Sequence, residues 1–230
     1  MEILFEDNHV IVVHKPQGVP SQEDESGDKD MLTMVKEYIK EKYNKVGNVY
    51  VGLVHRLDRP TGGVMVFAKN SKSAGRLCEQ IQTGEFDKTY FAVVNGTLPS
   101  ANGRLVNYLK KDEKQNKVSI VPELEEGAKR AELEYKVLAR TDKYSLVKIK
   151  LFSGRSHQIR VQLANIKCPI VGDNKYGRGE KVLLNLYAVE LGFLHPVSKQ
   201  KMVFRVYPPE TSVAWKNFKL DNYLGLKISE

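Results

Sequence analysis

Asp58 is the only acid in the run Val54–Phe67, VHRLDRPTGGVMVF, and it sits between Arg56 and Arg59. A carboxylate among guanidinium groups has its charged form favoured. An ionised carboxylate serves as a nucleophile or as an electrostatic stabiliser. Gly62 and Gly63 follow Thr61 and suit either a tight turn or the close approach of a ligand. For RLDR by itself the plain structural reading is stronger: a loop aspartate that forms a salt bridge or caps the turn at Thr61.

Two further segments carry chemistry-bearing side chains. In FDKTYFAVV, Phe86–Val94, strand alternation sends Lys88, Tyr90, Ala92 and Val94 to one face. Tyr90 then offers a ring that can stack on a base, although a tyrosine packed in a sheet has the same pattern. In SGRSHQIRVQL, Ser153–Leu163, a glycine turn leads into helical spacing that carries Arg155, His157, Gln158 and Arg160. N–H groups at a helix start attract phosphate. The ordinary alternative is a surface helix with a basic first turn. Arg160, between Ile159 and Val161, stands in an apolar setting where a charge needs a partner.

Other chemistries fit poorly. The sequence holds neither a Gly-x-x-x-x-Gly-Lys loop nor a Gly-x-Ser-x-Gly elbow. His9, His14, His55, His157 and His195 are scattered without metal-ligand spacing. Asp58 has no evident second carboxylate for a retaining glycosidase.

The elements that must position these residues are mostly strands. Ile3–Phe5 and Val10–His14 read as strands around a turn, and KPQGVPSQ then breaks regular structure. Leu32, Val35, Tyr38, Ile39 and Tyr43 have helical spacing, with Asp30 or Asp28 as N-cap. Val49–Val54 and Val64–Lys69 are strand-like, and the Asp58 segment connects them. Ser71 is expected to cap a second helix with Ala74, Leu77, Cys78 and Ile81 on its apolar face, ended by Gly84. Strands are expected at Phe86–Val94, Val118–Val121, Ala131–Ala139, Tyr144–Phe152, Val182–Phe193 and Met202–Tyr207. Ser212–Leu220 is expected to be a short closing helix, and Ser100–Lys117 a polar insertion loop. The pattern predicts an α+β fold on a large, mostly antiparallel sheet.

The 230 residues, 41% of them hydrophobic and 28% charged, are enough for a sizeable core and describe an ordinary globular chain. Lysine and arginine number 36 against 28 acids, a formal net charge of +8. Such a surface suits a polyanion as well as plain solubility. Basic residues gather at Lys110, Lys111, Lys114 and Lys117, at Lys129 and Arg130, and at Lys136, Arg140 and Lys143. Cys78 and Cys168 supply no disulfide framework or zinc spacing. The N-terminus lacks a signal-peptide pattern and no apolar stretch reaches membrane-span length. The expectation is a cytoplasmic protein.

Six blocks in order resemble the RluA-type RNA pseudouridine synthases: HKPQGVPSQ, HRLDRPTGG, KTYFAVV, GRSHQIRVQL, PIVGDNKYG and LNLYAVELGFLHP. The resemblance spans nearly the whole chain. It implies a pseudouridine synthase fold with a large mixed sheet and a basic RNA-binding cleft. It also implies one catalytic domain over residues 1–230, without the S4-type N-terminal domain that many relatives carry. The implied activity is isomerisation of uridine in ribosomal or transfer RNA, with no cofactor or metal, by a protein expected to be a monomer.

By position, the resemblance makes Asp58 the catalytic carboxylate, Tyr90 the ring on the target base, and Arg160 the partner of Asp58, in preference to Arg155. Arg56 is similar to the arginine that fills the gap left by the extracted nucleotide, and Leu186 lines the uracil pocket. Lys15, His55, Arg155 and His157 complete the expected RNA-binding set. Gly63 stands where the family usually has serine, and Tyr187 where histidine is common; both bear on cleft shape. Two readings compete with this one: an RNA-binding or ribosome-assembly protein on the same fold, and, more remotely, a nucleoside or sugar hydrolase.

Overall fold

The structure, a computed structural model, describes residues 1–209 and 212–225. Its contacts divide the chain into two compact units. One consists of Met1–Asp87 and Glu190–Val206, the other of Lys88–Val189 and the chain from Tyr207 onward.

The first unit begins with a meander. β1 (Glu2–Glu6) pairs antiparallel with β2 (Val10–Lys15), and β2 pairs antiparallel with β4 (Gly62–Ala68). β3 (Gly52–Leu53) adds a short pair to β4. β10 (Leu186–Leu194) follows β4 in the order, and β11 (Lys201–Arg205) pairs with β10. Every residue of β4 is buried, so it reads as a continuous apolar run without alternation.

Two helices pack in this unit. α1 (Met31–Lys42) is capped by Asp30, whose Oδ1 accepts the Thr33 N–H at 3.1 Å. Its buried stripe is Met31, Val35 and Ile39, spaced by four, and each such side chain contributes roughly 1.5–3 kcal/mol when removed from water. Glu6 fastens the helix to β1. Its carboxylate accepts from Lys69 (2.6 Å), Lys42 (2.7 Å), Tyr43 (2.9 Å) and Tyr38 (3.0 Å).

α2 (Ser71–Thr83) is capped by Asn70, one residue before the expected Ser71, and ends at Gly84 in the left-handed conformation as expected. Its buried face is Ser73, Leu77 and Gln80, so the helix is rotated from the apolar stripe read in the sequence. The Gln80 side chain is the reason. Its amide donates to the Leu194 carbonyl and accepts the Leu194 N–H, both at 2.8 Å, so a buried polar group is fully used.

In the second unit β5, β9, β8, β6 and β7 lie in that order, each antiparallel to the next. β5 is Asp87–Asn95, β6 Asn102–Asp112, β7 Lys117–Val121, β8 Lys129–Arg140 and β9 Tyr144–Leu151. α3 (Gln158–Asn165) follows β9, and α4 (Val213–Lys216) and α5 (Asp221–Leu224) close the described chain.

Four expectations need correction. Ser100–Lys117 is not an insertion loop, because it holds β6 and the turn into β7. Asn102, Arg104 and Val106 face solvent, and that polar alternation hid a strand with one wet face. β10 starts at Leu186 instead of Val182, since Val182 and Leu183 are exposed. β3 has two residues where a six-residue strand was read. Ser212–Leu220 holds α4 with Ser212 as its N-cap, while a second short helix starts at Asp221.

Candidate active site

In the first unit, Asp58 lies on the connection between β3 and β4, and the KPQGVPSQ segment forms its cradle. Thr61 N–H donates to the Asp58 carbonyl at 2.9 Å, closing a tight turn. Gln17 donates to the Pro60 carbonyl at 2.9 Å, and the Gly18 N–H donates to the Arg59 carbonyl at 2.9 Å. The Ser21 hydroxyl straddles Leu57, donating to its carbonyl at 2.7 Å and accepting its N–H at 3.1 Å. Arg59 donates to the Gly18 carbonyl (3.0 Å) and pairs with Asp28.

Lys15, expected on RNA, is wholly buried at the end of β2. Its ammonium donates to the carbonyls of Thr61 (2.7 Å), Pro16 and Arg59 (both 3.2 Å) and Asp58 (3.4 Å). It therefore fixes the backbone on which Asp58 stands. Burial pulls this amine down to about 7, opposed by the Asp58 carboxylate and reinforced by Arg59.

Between about pH 7 and 10.5 the unfolded chain holds the proton that the folded one has released, so Lys15's contribution to stability rises with pH across that window. The urea stability of wild type minus that of Lys15→Met should climb with a slope of up to about 1.4 kcal/mol per pH unit. A flat difference between pH 7 and 10 would show that the amine is not desolvated.

His55, also expected on RNA, accepts the Val66 N–H through Nε2 at 3.1 Å and packs edge-on against Phe86. That makes it a tie within the first unit. Arg56 is exposed, while Leu57 beside it is buried. Gly63, the second residue of β4, lies opposite Lys15 with φ 133°. A serine there would meet backbone strain, so the departure from the family pattern matches the local conformation.

In the second unit, Tyr90 lies in β5, 7% exposed, opposite Ile149. Lys88, two residues earlier on the same strand, is lowered from its ordinary value by burial. Leu186 and Tyr187, at the start of β10, are both buried. α3 is not a surface helix, since Gln158 through Leu163 are all buried. The Arg155 N–H is taken by the Gln158 amide oxygen at 3.1 Å, and the Arg155 Nε donates to the Arg130 carbonyl at 3.1 Å. His157 precedes the helix with φ 51°, its Nδ1 2.9 Å from the Tyr176 hydroxyl.

Arg160 is 4% exposed, and a buried charge of this kind demands a partner. Asp173 supplies it side-on: Nε donates to Oδ2 at 2.8 Å and Nη2 to Oδ1 at 2.7 Å. Oδ1 also accepts the N–H groups of Lys175 (2.9 Å) and Tyr176 (3.1 Å). Burial pushes the Asp173 carboxyl up, but Arg160 and those two N–H groups outweigh it and hold it below the usual carboxylate range. The Tyr176 ring lies 5.3 Å from the guanidinium carbon. Gly172 sets the approach, with φ 77° and a backbone so close to the Leu183 carbonyl that a Cβ would stand 2.3 Å from it.

Asp173 and Tyr176 carry no role in the sequence reading. The signal was present: Arg160 in apolar company needed an acid, and PIVGDNKYG offered one.

A model of RNA pseudouridylate synthases matches residues 9–165, a span that includes the Asp58 turn, β5 and α3. The chain belongs to that family. Among relatives of this RNA pseudouridylate synthase is a protein named ribosomal large subunit pseudouridine synthase D, from Borreliella burgdorferi. It is 31% identical over 234 residues, covering 98% of this chain and 71% of that protein. A tRNA pseudouridine synthase C of Vibrio cholerae is 30% identical over 226 residues, covering 89% and 90%. The human RNA pseudouridylate synthase domain containing 4 protein shares the fold, with TM-score 0.77 at 23% identity over 100% of this chain and 95% of that one. The fold is thus that of the pseudouridine synthases, as the resemblance implied, and the enzyme is an isomerase of the RluA type. Among the described residues, no helix is long and apolar enough to cross a membrane.

Proposed function

We propose that this synthase isomerises uridines of ribosomal or transfer RNA, with Asp58 as the attacking carboxylate. Family membership supports the reaction class. The observation that supports the residue is the cradle: Lys15, Gln17, Gly18 and Ser21 all hold the backbone of residues 57–61. A loop built only to connect two strands has no need of a buried ammonium spread over four carbonyls.

The reaction breaks the C–N glycosidic bond, turns the uracil and joins the sugar to ring carbon 5. The hydrogen on that carbon leaves as a proton and N1 gains one, so atoms balance without a co-reactant. A stacked uridine must first be flipped out, at a cost of a few kcal/mol. Tyr90 packs on the flipped base, Arg56 fills the gap in the RNA, and Leu186 lines the uracil pocket. Arg160 keeps the nucleophile ionised and aimed, and Asp173 fixes the plane of that guanidinium by occupying Nε and Nη2. Arg155 and His157 flank the same helix start and meet the RNA backbone. Lys15 and His55 act by holding the Asp58 segment.

Tritium at uracil carbon 5 tests this directly. RNA transcribed with that label should release tritium to water when incubated with the protein, whereas free labelled uridine should release none. Cleavage of the nucleoside to free uracil and ribose, with the tritium retained on the base, would favour a hydrolase. Tight RNA binding without release would favour an assembly factor.

A further inference from the structure

We propose that the open face of β6, β8 and β9 in the second unit is an additional RNA-binding surface, taking phosphates on Lys136 and Lys148 and a base on Phe152. The inference rests on the reading of the protein as an enzyme that acts on RNA.

Register defines the face. Lys136 of β8 lies directly opposite Lys148 of β9, and both are exposed. Glu134 lies opposite Lys150 on one side and opposite Arg104 of β6 on the other. Glu132 is engaged by both Arg104 and Arg130. Each acid therefore stands between two cations, and the Lys136–Lys148 pair remains as excess positive charge.

Like charges directly opposite one another in an antiparallel pair destabilise it. An anion bridging the two ammonium groups would remove the repulsion. Phe152, just past β9, is 48% exposed, with the Arg104 guanidinium 5.8 Å and the Lys150 ammonium 5.5 Å from its ring centre. An exposed aromatic ring flanked by cations beside a basic row is the pairing that single-stranded nucleic acid binds, base on ring and phosphate on lysine.

This surface is distinct from the Tyr90 side of the sheet. Tyr90 pairs with Ile149, whereas Thr89 and Phe91 pair with Lys150 and Lys148, so Tyr90 and these lysines project to opposite faces. RNA held here belongs to a part of the substrate remote from the reacting uridine.

Poly(A), which offers no uridine to the catalytic residues, is the probe for the full chain. Binding is measured by fluorescence anisotropy across a salt series. Lys148→Glu should shallow the slope of log K against log salt by about 0.7, and Lys136→Glu/Lys148→Glu by about 1.4. Lys148→Glu should also raise Tm or leave it unchanged, because it turns a repulsive pair into an attractive one. Phe152→Ala should weaken binding severalfold with the slope unchanged.

Tritium release at saturating RNA should match wild type in all three variants, which separates this surface from the catalytic assignment. Wild-type affinity and slope in the lysine variants would overturn the proposal. So would an equal loss in Lys40→Glu/Lys45→Glu, a matched charge reversal in the first unit.

Discussion

Asp58→Asn is expected to lower the rate of pseudouridine formation by at least about a thousandfold, equivalent to ~4 kcal/mol of lost transition-state stabilisation. The amide nearly matches the carboxylate in shape, and the cradle grips backbone carbonyls and N–H groups, which the substitution leaves in place. Folding should therefore be unaffected. RNA affinity should also persist, because phosphate contacts supply most of it. The measurement is single-turnover tritium release beside an RNA-binding isotherm for the same preparation. Near-normal turnover would remove Asp58 from the chemistry, and a loss of binding in step with turnover would make it a binding residue.

Asp173→Ala is expected to be the most destabilising single change near the candidate site. It leaves the Arg160 guanidinium in a 4% exposed setting without its side-on acceptor. Breaking one side of a buried ion pair costs about 3–5 kcal/mol. It also strips the N–H groups of Lys175 and Tyr176 of their shared acceptor. Urea unfolding at pH 7 reads the loss, and a change below about 1 kcal/mol would show that the pair is not a structural anchor.

The same carboxyl is held below its usual range, so its contribution is present above the ordinary value near 3.9 and is lost as pH falls through the lower folded value. Wild type and Asp173→Ala should therefore converge in stability toward acid pH. Asp173→Asn keeps one acceptor oxygen and should fall between the two, with kcat reduced more than KM if its task is to aim Arg160.

Local rules found in the sequence the elements whose periodicity is undisturbed. α1 has a capping aspartate and an apolar residue every fourth position, and β4 is apolar throughout. They failed where tertiary partners decide. β6 looked like a loop because its wet face is polar, and pairing with β7 and β8 makes it a strand. Gln80 looked like a surface residue until the backbone of Leu194 used both ends of its amide.

The candidate site divides in the same way. Residue type and setting made Asp58, Tyr90 and Arg160 candidates, and only the family resemblance lifted Asp58 and Tyr90 above a structural reading. The structural posts of Lys15 and His55 did not stand out, because a lysine or histidine near a catalytic motif looks like an RNA contact until its acceptors and donors are seen. Asp173 was hidden because a partner 13 positions from Arg160 is fixed by a turn, not by helix or strand spacing.

The most direct test of the account is a pseudouridine map of ribosomal and transfer RNA from cells lacking this protein, complemented with either wild type or Asp58→Asn. One or more modified uridines should vanish in the deletion, return with wild type, and stay absent with Asp58→Asn. Identical maps in all strains, or restoration by Asp58→Asn, would contradict it.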